Sequence, residues 1–386
     1  KYVGLLRKSL YGTRDAPANW EATILKVMTL LGFVQGRSNS CLYYHSTRGI
    51  RVEVHGDDFT GLGAKDQLEW FAQELGKHWT VEVRGYLGPP GMAGTKQNID
   101  ILNRLVSWTN RGIELEGDPR HAEIIIREMG CSGGKVTTPL VKERVEDGAD
   151  PLSSDDASKY RSVSMRLAYL SQDRPDVQVL AKELAKGLKS PTTAHMQMLK
   201  RGARYLQNRP RMIHLFPHQR SISRLDIWTD SDHAGCLRTR KSTSGYCVRL
   251  GGSTTKTSCK SQAVIALSSG EAEFYSLVSA ACGGLGEQSA LRDWGIWLPI
   301  QCWMDSNTGL AIASRHGLGR VKHVDTIFMW VQDAVSSGRI ALGKKPTLDM
   351  LADLLTKALD QARMRMLLER MNYHFRDGRH SFALDV

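Results

Sequence analysis

The amino-acid sequence predicts an α/β protein whose C-terminal half is a mixed sheet covered by helices. Two observations lead to this class. From Leu225, three strand-like segments follow one another with only turns between them: LDIWTDSDHAG, STSGYCVRLGG and TTKTSCKSQAVIAL. After one helix, strand-like and helix-like segments then alternate, from QCWMDSN to a last predicted helix at residues 347–359. Antiparallel strands followed by this alternation are typical of a mixed sheet with helices on its faces, in a unit of roughly 130 residues.

The alternating part contains four predicted elements. A strand at QCWMDSN is followed by a helix from Thr308, a helix at residues 324–336 and a strand at RIALGKK. Together with the three antiparallel strands, this alternation indicates a mixed sheet covered by helices.

The N-terminal third predicts smaller elements: helices at residues 16–31 and 65–77 and strands at residues 41–45 and 50–55. Pro17 falls in the first turn of the first helix, where its missing N–H costs nothing. Gly56, Asp57 and Asp58 follow the second strand. These three residues are therefore predicted at the tip of a hairpin.

Residues 120–220, between the N-terminal elements and the mixed sheet, are predicted to be mostly helical. Apolar side chains recur at helical spacing in three segments, at residues 158–171, 177–188 and 195–208. The stretch 142–156 is acidic and rich in serine, which is typical of an exposed linker. We place a domain boundary there.

Composition favours a polyanionic partner. A chain of 386 residues is long enough for two or three domains. Its 52 Lys and Arg against 40 Asp and Glu give a formal charge of +12, and nucleic acid gains affinity for such a surface through counterion release. The chain begins at Lys1 rather than Met, and we expect it to be a fragment of a longer product.

Cysteine usage and hydropathy argue against other classes of protein. The 7 cysteines are odd in number and scattered, with no CxxC pair that could begin a zinc site. They are predicted to be free thiols in a reducing compartment. No apolar run approaches the ~20 residues that span a bilayer, and the N-terminus lacks the pattern of a signal peptide. We therefore expect an intracellular protein without a membrane partner.

The first candidate functional residues are acids that begin the predicted mixed sheet. Asp230 lies inside the first strand, where acids are rare, and an acid that simply ends the strand before the turn at Ala234 is the alternative. Asp232 faces the same side and competes for the same role. Asp230 is the preferred candidate.

The next candidate lies at the start of the helix that follows the three strands. Ser268 and Glu271 have the spacing of a capping box, which accounts for Glu271. Glu273 lies about 200° further round the helix, so only one of the two glutamates can face a given partner. Glu273 is the preferred candidate, although an exposed acid favoured by the helix dipole is an adequate alternative.

Two further acids complete the set. Asp305 follows a strand and precedes a helix, where it could also be an N-cap. Asp353 lies near the edge of an apolar stripe in LDMLADLLTKAL, where a solvated helix acid is the alternative. Brought to one end of a sheet, such acids supply the oxygen ligands that Mg²⁺ prefers, and two ions ~4 Å apart would assist phosphodiester cleavage.

The motifs DSDHAG, RKSTSGYCVRLGG, ALSSGEAEF, MDSN, VKHVD and LADLLTKAL resemble the ribonuclease H domain of copia-type LTR retrotransposon polyproteins. The resemblance implies a ribonuclease H-like mixed sheet and four metal-binding acids, Asp230, Glu273, Asp305 and Asp353. It also implies two Mg²⁺ ions, with Mn²⁺ as a substitute, and places His323, with Asp325, in a loop near the substrate. The implied activity is cleavage of the RNA strand of an RNA/DNA hybrid, with specificity for RNA from contacts with its 2′-hydroxyls.

The resemblance extends upstream. LRKSLYGTRDAPANW resembles the segment of copia-type reverse transcriptases that precedes the paired polymerase aspartates, and HGDDF occupies the place of the family's YVDD hairpin. The resemblance implies that Asp57 and Asp58 are the metal-binding acids of a polymerase remnant. His55 and Gly56 stand where the family has Tyr and Val. The segment GYLGPPGM differs from the sequence that usually follows Leu-Gly in the family. The strand that bears the third polymerase aspartate is expected upstream of Lys1.

The resulting domain prediction has four parts: a partial reverse transcriptase palm and thumb region at 1–140, a helical connection at 141–222, a ribonuclease H-like domain at 223–360 and a C-terminal tail at 361–386. The predicted partners are an RNA/DNA hybrid or other nucleic acid and the remainder of the polyprotein. The predicted location is the cytoplasm, virus-like particles or the nucleus. The candidate nucleic-acid-binding residues are Arg240, Lys241, Lys260, Lys322 and His323.

Two other functions compete with this one. A catalytically inactive remnant would keep the fold and charge and bind nucleic acid without cleavage. An integrase or transposase nuclease shares the sheet topology, but it places its glutamate last. In this chain Glu273 comes before Asp305, which favours the ribonuclease H interpretation.

Overall fold

The computed structural model describes residues 8–131, 134–141 and 149–384. The chain divides into two compact units, one made of Lys1–Tyr86 with Gly286–Trp297 and the other of Leu87–Leu285 with Leu298–Val386. The described residues form three sheets and ten α-helices, which confirms the mixed α/β class. Residues 142–148 of the predicted linker lie outside the described residues. No described helix is both long enough and apolar enough to span a bilayer.

The first unit is a four-stranded antiparallel sheet with two helices. Its elements are α1 (Ala16–Leu30), β1 (Val34–Gln35), β2 (Leu42–His45), β3 (Ile50–His55), β4 (Asp58–Leu62) and α2 (Lys65–Gly76), with the strands in the order β1-β2-β3-β4. Buried Ile24, Val27 and Met28 of α1 form a core with Ile50 and Val52 of the sheet. The predicted helices and strands of this region are confirmed to within a few residues.

The second unit contains an antiparallel sheet that the sequence patterns did not reveal. Its strands are β5 (Asn98–Ile101), β6 (Arg104–Thr109), β7 (Gly112–Glu116), β8 (Arg211–Pro217) and β14 (Tyr373–Arg376), in the order β14-β8-β7-β6-β5. Strand β8 lies in the region predicted to be mostly helical. It pairs with β7 and β14, which are distant in sequence, so no local sequence pattern predicts this strand.

Five helices complete the core beside this sheet: α3 (Pro119–Met129), α4 (Ser154–Leu170), α5 (Gln178–Ala185), α6 (Thr193–Asn208) and α10 (Gln361–Arg370). Helix α4 begins where the Ser153 hydroxyl accepts a hydrogen bond from the Asp156 backbone N–H. Buried Tyr160, Leu167 and Leu199 lie in one large apolar cluster. The three helices predicted between residues 158 and 208 are confirmed.

The mixed sheet of the second unit carries the candidate acids. The sheet and its helices comprise β9 (Leu225–Asp232), β10 (Thr243–Leu250), β11 (Ser253–Ser261), α7 (Ser269–Asp293), β12 (Ile300–Met304), α8 (Asn307–Ser314), α9 (Trp330–Ser336) and β13 (Ile340–Lys344). The end of α7, from Gly286, belongs to the first unit. The strand order is β11-β10-β9-β12-β13. β9, β10 and β11 are antiparallel, whereas β12 lies parallel to both β9 and β13. The predicted mixed sheet is confirmed.

Two predicted helices were wrong in part. Residues 347–359 form two 3₁₀ turns, Thr347–Asp349 and Leu351–Leu355, rather than one helix. All of Leu351–Leu355 is buried, so the leucine spacing marks an enclosed segment and not one face of a helix. The helix predicted at 324–336 begins with a 3₁₀ turn, because the Asp325 carboxylate accepts from the Ile327 N–H, and α9 follows at Trp330.

Burial of His214 on β8 makes an acid-sensitive element. Its ring stacks on Tyr373 with centroids 4.0 Å apart, and burial lowers its pKa to about 3. A histidine with a depressed pKa in the folded state costs stability as pH falls from its unfolded pKa toward the folded one. We expect the free energy of unfolding to drop by on the order of 4 kcal/mol between pH 6.5 and 3 through this residue alone.

The measurement is urea unfolding across this pH range for the wild type and for His214→Phe, which keeps the aromatic stack. His214→Phe should lose less stability on acidification. The exposed His218, changed to Gln, serves as the control and should leave the pH dependence as in the wild type. An identical pH dependence in the wild type and His214→Phe would contradict the expectation.

Candidate active site

Two of the predicted acids meet because their strands are parallel neighbours. Strands β9 and β12 pair in register, with Trp228 opposite Trp303. Asp230 and Asp305 both lie two residues beyond this pair, so they come to the same edge of the sheet. Asp230 is almost completely buried, and Asp305 is partly exposed and accepts a hydrogen bond from the Thr347 hydroxyl at 2.8 Å.

Helix α7 brings the third acid to this edge. The Ser276 hydroxyl lies 2.8 Å from the Thr229 hydroxyl and donates to the Asp230 carbonyl at 2.6 Å, which fixes the helix on β9. Glu273 lies one turn earlier and accepts from the Ser231 N–H at 3.3 Å. Gly309 of α8 allows the close approach, since a Cβ there would come within 3.0 Å of the Glu273 Cβ.

The three carboxylates form a compact group of oxygen ligands. One oxygen each of Asp230, Glu273 and Asp305 lies within 4.8 Å of the other two, and no other group of three acidic, His or Cys side chains in the described residues is as close. Burial and the charges of Asp230 and Asp305 raise the pKa of Glu273 to about 9. Burial, together with the charge of Asp353, also raises the pKa of Asp230.

The group fits a divalent cation. Glu273 Oε2 is buried and has no hydrogen-bond partner among the described residues. A buried, unpartnered carboxylate oxygen facing two like charges is costly unless a cation or a proton neutralises it. An all-oxygen set of this kind is the donor chemistry of Mg²⁺, which would offset the repulsion.

Asp353 lies beside this group but is engaged by protein cations. Lys357 Nζ lies 2.6 Å from Asp353 Oδ1 and 3.1 Å from Asp230 Oδ2, and Arg363 Nη2 lies 2.8 Å from Asp353 Oδ2. Asp230 and Asp353 in turn raise the pKa of Lys357 above its ordinary value, against the opposing effect of burial. Three of the four predicted acids therefore converge directly, and the fourth reaches them through Lys357.

A glycine on β10 allows the segment that bears Lys357 to approach Asp230. Gly245 pairs with Asp230, and a Cβ at Gly245 would come within 2.5 Å of the Thr356 Cγ2. Thr356 can thus donate its hydroxyl to Asp230 Oδ2. Asp232 is the other candidate acid on β9. Its carboxylate accepts hydrogen bonds from the backbone N–H and the hydroxyl of Thr243.

Glu271 does more than cap α7. The Ser268 hydroxyl accepts from the Glu271 N–H at 3.2 Å, as the capping box predicted, but the Glu271 carboxylate accepts from the Leu267 N–H rather than from Ser268. The same buried carboxylate accepts from the Tyr275 hydroxyl at 2.8 Å and lies 2.8 Å from His323 Nε2. The glutamate therefore anchors the loop that carries His323, a role that the capping spacing alone did not reveal.

We expect Glu271→Ala to destabilise the protein by about 2–4 kcal/mol, because it leaves the buried Tyr275 hydroxyl and the Leu267 N–H without an acceptor. The measurement is chemical denaturation at pH 7. Ser268→Ala removes a single cap acceptor and should cost only about 1 kcal/mol. Equal losses in the two variants would show that the Tyr275 and His323 contacts contribute nothing.

The remaining predicted site residues are dispersed. The side chains of Arg240, Lys260, Lys322 and His323 are exposed, and that of Lys241 is half-buried. In the first unit, Asp57 is exposed in the turn between β3 and β4, while Asp58 begins β4 and lies 3.1 Å from Arg84 Nη2. Among the described residues, no third acid, His or Cys joins Asp57 and Asp58 in a close group.

Comparison with known proteins identifies the relatives of this chain. It is 28% identical over 372 residues to the Retrovirus-related Pol polyprotein from transposon RE1 of Arabidopsis thaliana, covering 93% of this chain and 24% of that protein. It is 24% identical over 384 residues to the corresponding polyprotein from transposon TNT 1-94 of Nicotiana tabacum, covering 96% of this chain and 28% of that protein. An uncharacterized mitochondrial protein of Arabidopsis thaliana is 31% identical over 163 residues, which cover 42% of this chain and 67% of the relative.

No family model matches the chain. The chain spans about a quarter of the length of the Pol polyproteins that it matches. These matches nevertheless extend over more than nine-tenths of the chain, across both units. The homologues of this chain are thus retrovirus-related Pol polyproteins from transposons.

Proposed function

We propose that the chain is a metal-dependent endonuclease that cleaves the RNA strand of RNA/DNA hybrids, within a longer copia-type Pol polyprotein. In this proposal residues 223–360 form a ribonuclease H-like domain and residues 1–140 a remnant of the reverse transcriptase. Residues 141–222 connect the two, and residues 361–386 form a C-terminal tail. The group of Asp230, Glu273 and Asp305, with the unpartnered Glu273 Oε2, is the observation that carries the proposal.

The topology supports the nuclease assignment. The order β11-β10-β9-β12-β13 and the mixture of antiparallel and parallel pairs agree with the fold implied by the sequence motifs. Glu273 lies on the helix between β11 and β12, and Asp305 follows β12. An integrase-type nuclease would need its glutamate after these two aspartates, so the chain order argues against that alternative.

Each residue of the proposed site would have its own role. Asp230, Glu273 and Asp305 would hold Mg²⁺, which when bound activates a water and stabilises the charge on a phosphodiester. Asp353 would take part at a second ion position only after Lys357 releases the Asp353 carboxylate. His323, held by Glu271, would face the substrate from its loop.

Charge supports a nucleic-acid substrate. The chain carries a formal charge of +12, and exposed Arg240, Lys260 and Lys322 are available to contact phosphates. Discrimination of RNA from DNA would rest on the 2′-hydroxyl. In the same proposal Asp57 and Asp58 are the remaining acids of a polymerase site.

The test is cleavage by the full chain in Mg²⁺ of a labelled RNA/DNA hybrid, with DNA duplex of the same sequence as the comparison substrate. We expect products from the RNA strand of the hybrid, none from the DNA duplex, and none in EDTA. Folded protein that binds the hybrid without cutting it in Mg²⁺ or Mn²⁺ would favour an inactive nucleic-acid-binding remnant and overturn the proposal.

A further inference from the structure

A buried glutamine lies where the chain leaves β11 for α7. Gln262 follows the last residue of β11 and is 7% exposed. Its backbone N–H donates to the Ser242 carbonyl at 2.8 Å, which fixes it against the start of β10. The proposed chemistry of cleavage gives this residue no role.

The side-chain amide of Gln262 contacts three elements of the second unit. Its Nε2 lies 2.8 Å from the Ala272 carbonyl of α7, 3.0 Å from the Ser244 hydroxyl of β10 and 3.3 Å from the Ser231 hydroxyl of β9. A carbonyl oxygen accepts and cannot donate, so one amide hydrogen goes to Ala272 and the other to the hydroxyls. The same carbonyl fixes the orientation of the amide, since Oε1 in place of Nε2 would face it as a second acceptor.

These contacts fall on residues next to two of the clustered acids. Ser231 follows Asp230 on β9, and Ala272 precedes Glu273 on α7. Ser244 lies opposite Ser231 in the antiparallel pair of β10 with β9. Gln262 therefore ties the strand that carries Asp230 to the first turn of the helix that carries Glu273.

The Glu273 carboxylate depends on the same tie. The Ser231 N–H donates to Glu273 Oε1 at 3.3 Å, so the serine that Gln262 contacts through its hydroxyl also directs the carboxylate. Like charges that are buried close together repel, and their side chains keep this arrangement only when the backbone beneath them is fixed. Contacts of this kind orient metal ligands, and their loss typically weakens metal binding by about 10–100-fold.

We infer that Gln262 is a positioning residue of the carboxylate group, whose amide holds Asp230 and Glu273 in the arrangement that a divalent cation requires. The inference rests on the proposed function, since it takes the group to be a metal site. Gln262 acts through the Ala272 carbonyl and the Ser231 hydroxyl and not as a ligand. A Met side chain has a similar length and volume but can donate to neither.

The test measures Mn²⁺ binding to the full chain without substrate, from the signal of free Mn²⁺ in electron paramagnetic resonance. Gln262→Met should weaken binding by about tenfold or more. Gln178→Met is the matched control, because Gln178 is a buried glutamine of α5 whose Nε2 donates to the Ser171 carbonyl and the Thr257 hydroxyl, neither of them next to a clustered acid. It should lose similar stability in chemical denaturation but change Mn²⁺ affinity less than about threefold.

Ser231→Ala is a milder second variant. It removes one acceptor of the Gln262 amide but keeps the Ser231 N–H that directs Glu273, and it should weaken Mn²⁺ binding by about threefold. If Gln262→Met does not fold, Ser231→Ala decides, and an affinity equal to that of the wild type overturns the inference.

Equal Mn²⁺ affinity in Gln262→Met and Gln178→Met overturns the positioning role and leaves the proposed nuclease standing. A wild type that binds Mn²⁺ but never cuts a hybrid refutes only the nuclease. A wild type that binds no Mn²⁺ refutes both.

Discussion

Asp305→Asn is expected to lower the rate of hybrid cleavage in Mg²⁺ by about 10³-fold, because a ligand that stabilises a metal-bound phosphodiester contributes several kcal/mol to the barrier. Asp305 is the most accessible of the three clustered acids, and its only hydrogen bond in the described structure is from Thr347. The amide can still accept that bond. The substitution therefore removes charge at the site with little cost to folding.

The matched control is Asp333→Asn, an exposed acid on α9 that should keep at least half of the wild-type rate. Metal binding gives a second measurement: Mg²⁺ or Mn²⁺ should raise the melting temperature of the wild type and of Asp333→Asn, but not that of Asp305→Asn. Cleavage by Asp305→Asn within tenfold of the control would remove the carboxylate group from the mechanism.

Much of this site could be predicted from local patterns. Asp230 was singled out because acids are rare inside strands, and Asp305 because it ends a strand that precedes a helix. Two parallel strands that end at the same edge bring such residues together whatever the details of packing. Glu273 is preferred to Glu271 because the capping box accounts for Glu271 and the two side chains face different sides of the helix. Glu273 is the one that joins the group.

Contacts between segments that are far apart in sequence could not be predicted from local patterns. Lys357 reaches Asp230 across 127 positions of sequence, and Thr356 across 126. Their approach depends on Gly245, whose missing side chain makes room for the turn at Leu351–Leu355. The same turn was predicted as a helix, because leucine spacing reports burial but not which backbone geometry achieves it.

The antiparallel sheet of the second unit shows the same limit. Strand β8 pairs with β14, which lies more than 150 residues later, and the two were predicted as part of a helical connection and a tail. Three segments in the neighbouring sequence have clear helical periodicity, whereas β8 is buried nearly throughout and shows no alternation of exposed and buried residues. A strand buried on both faces cannot be distinguished from a helix segment by periodicity.

A buried ion pair in the core of the second unit carries the largest expected effect on stability. The Arg174 guanidinium makes two bonds to Asp176, at 3.0 and 2.7 Å, and a third to the Arg209 carbonyl. The Tyr205 hydroxyl donates to the same carboxylate at 2.7 Å. Burial and the charge of Asp176 raise the pKa of Tyr205, so the phenol stays protonated and able to donate.

Asp176→Ala should lower the free energy of unfolding by about 3–5 kcal/mol, because it leaves the Arg174 charge buried without a counter-ion and the Tyr205 hydroxyl without an acceptor. The measurement is urea unfolding of the full chain. Glu369→Ala breaks an exposed pair with Arg365 and should cost less than about 1 kcal/mol.

The double variant Arg174→Met with Asp176→Leu separates the two possible causes of such a loss. If Asp176→Ala loses stability because it leaves the buried Arg174 charge without a counter-ion, apolar side chains of similar size at both positions should restore most of the lost stability. If the pair is needed to hold Tyr205 and the Arg209 carbonyl in place, the double variant should be as unstable as Asp176→Ala. A single-variant loss no greater than that of Glu369→Ala would mean that solvent reaches Arg174, contrary to its burial at 3% exposure.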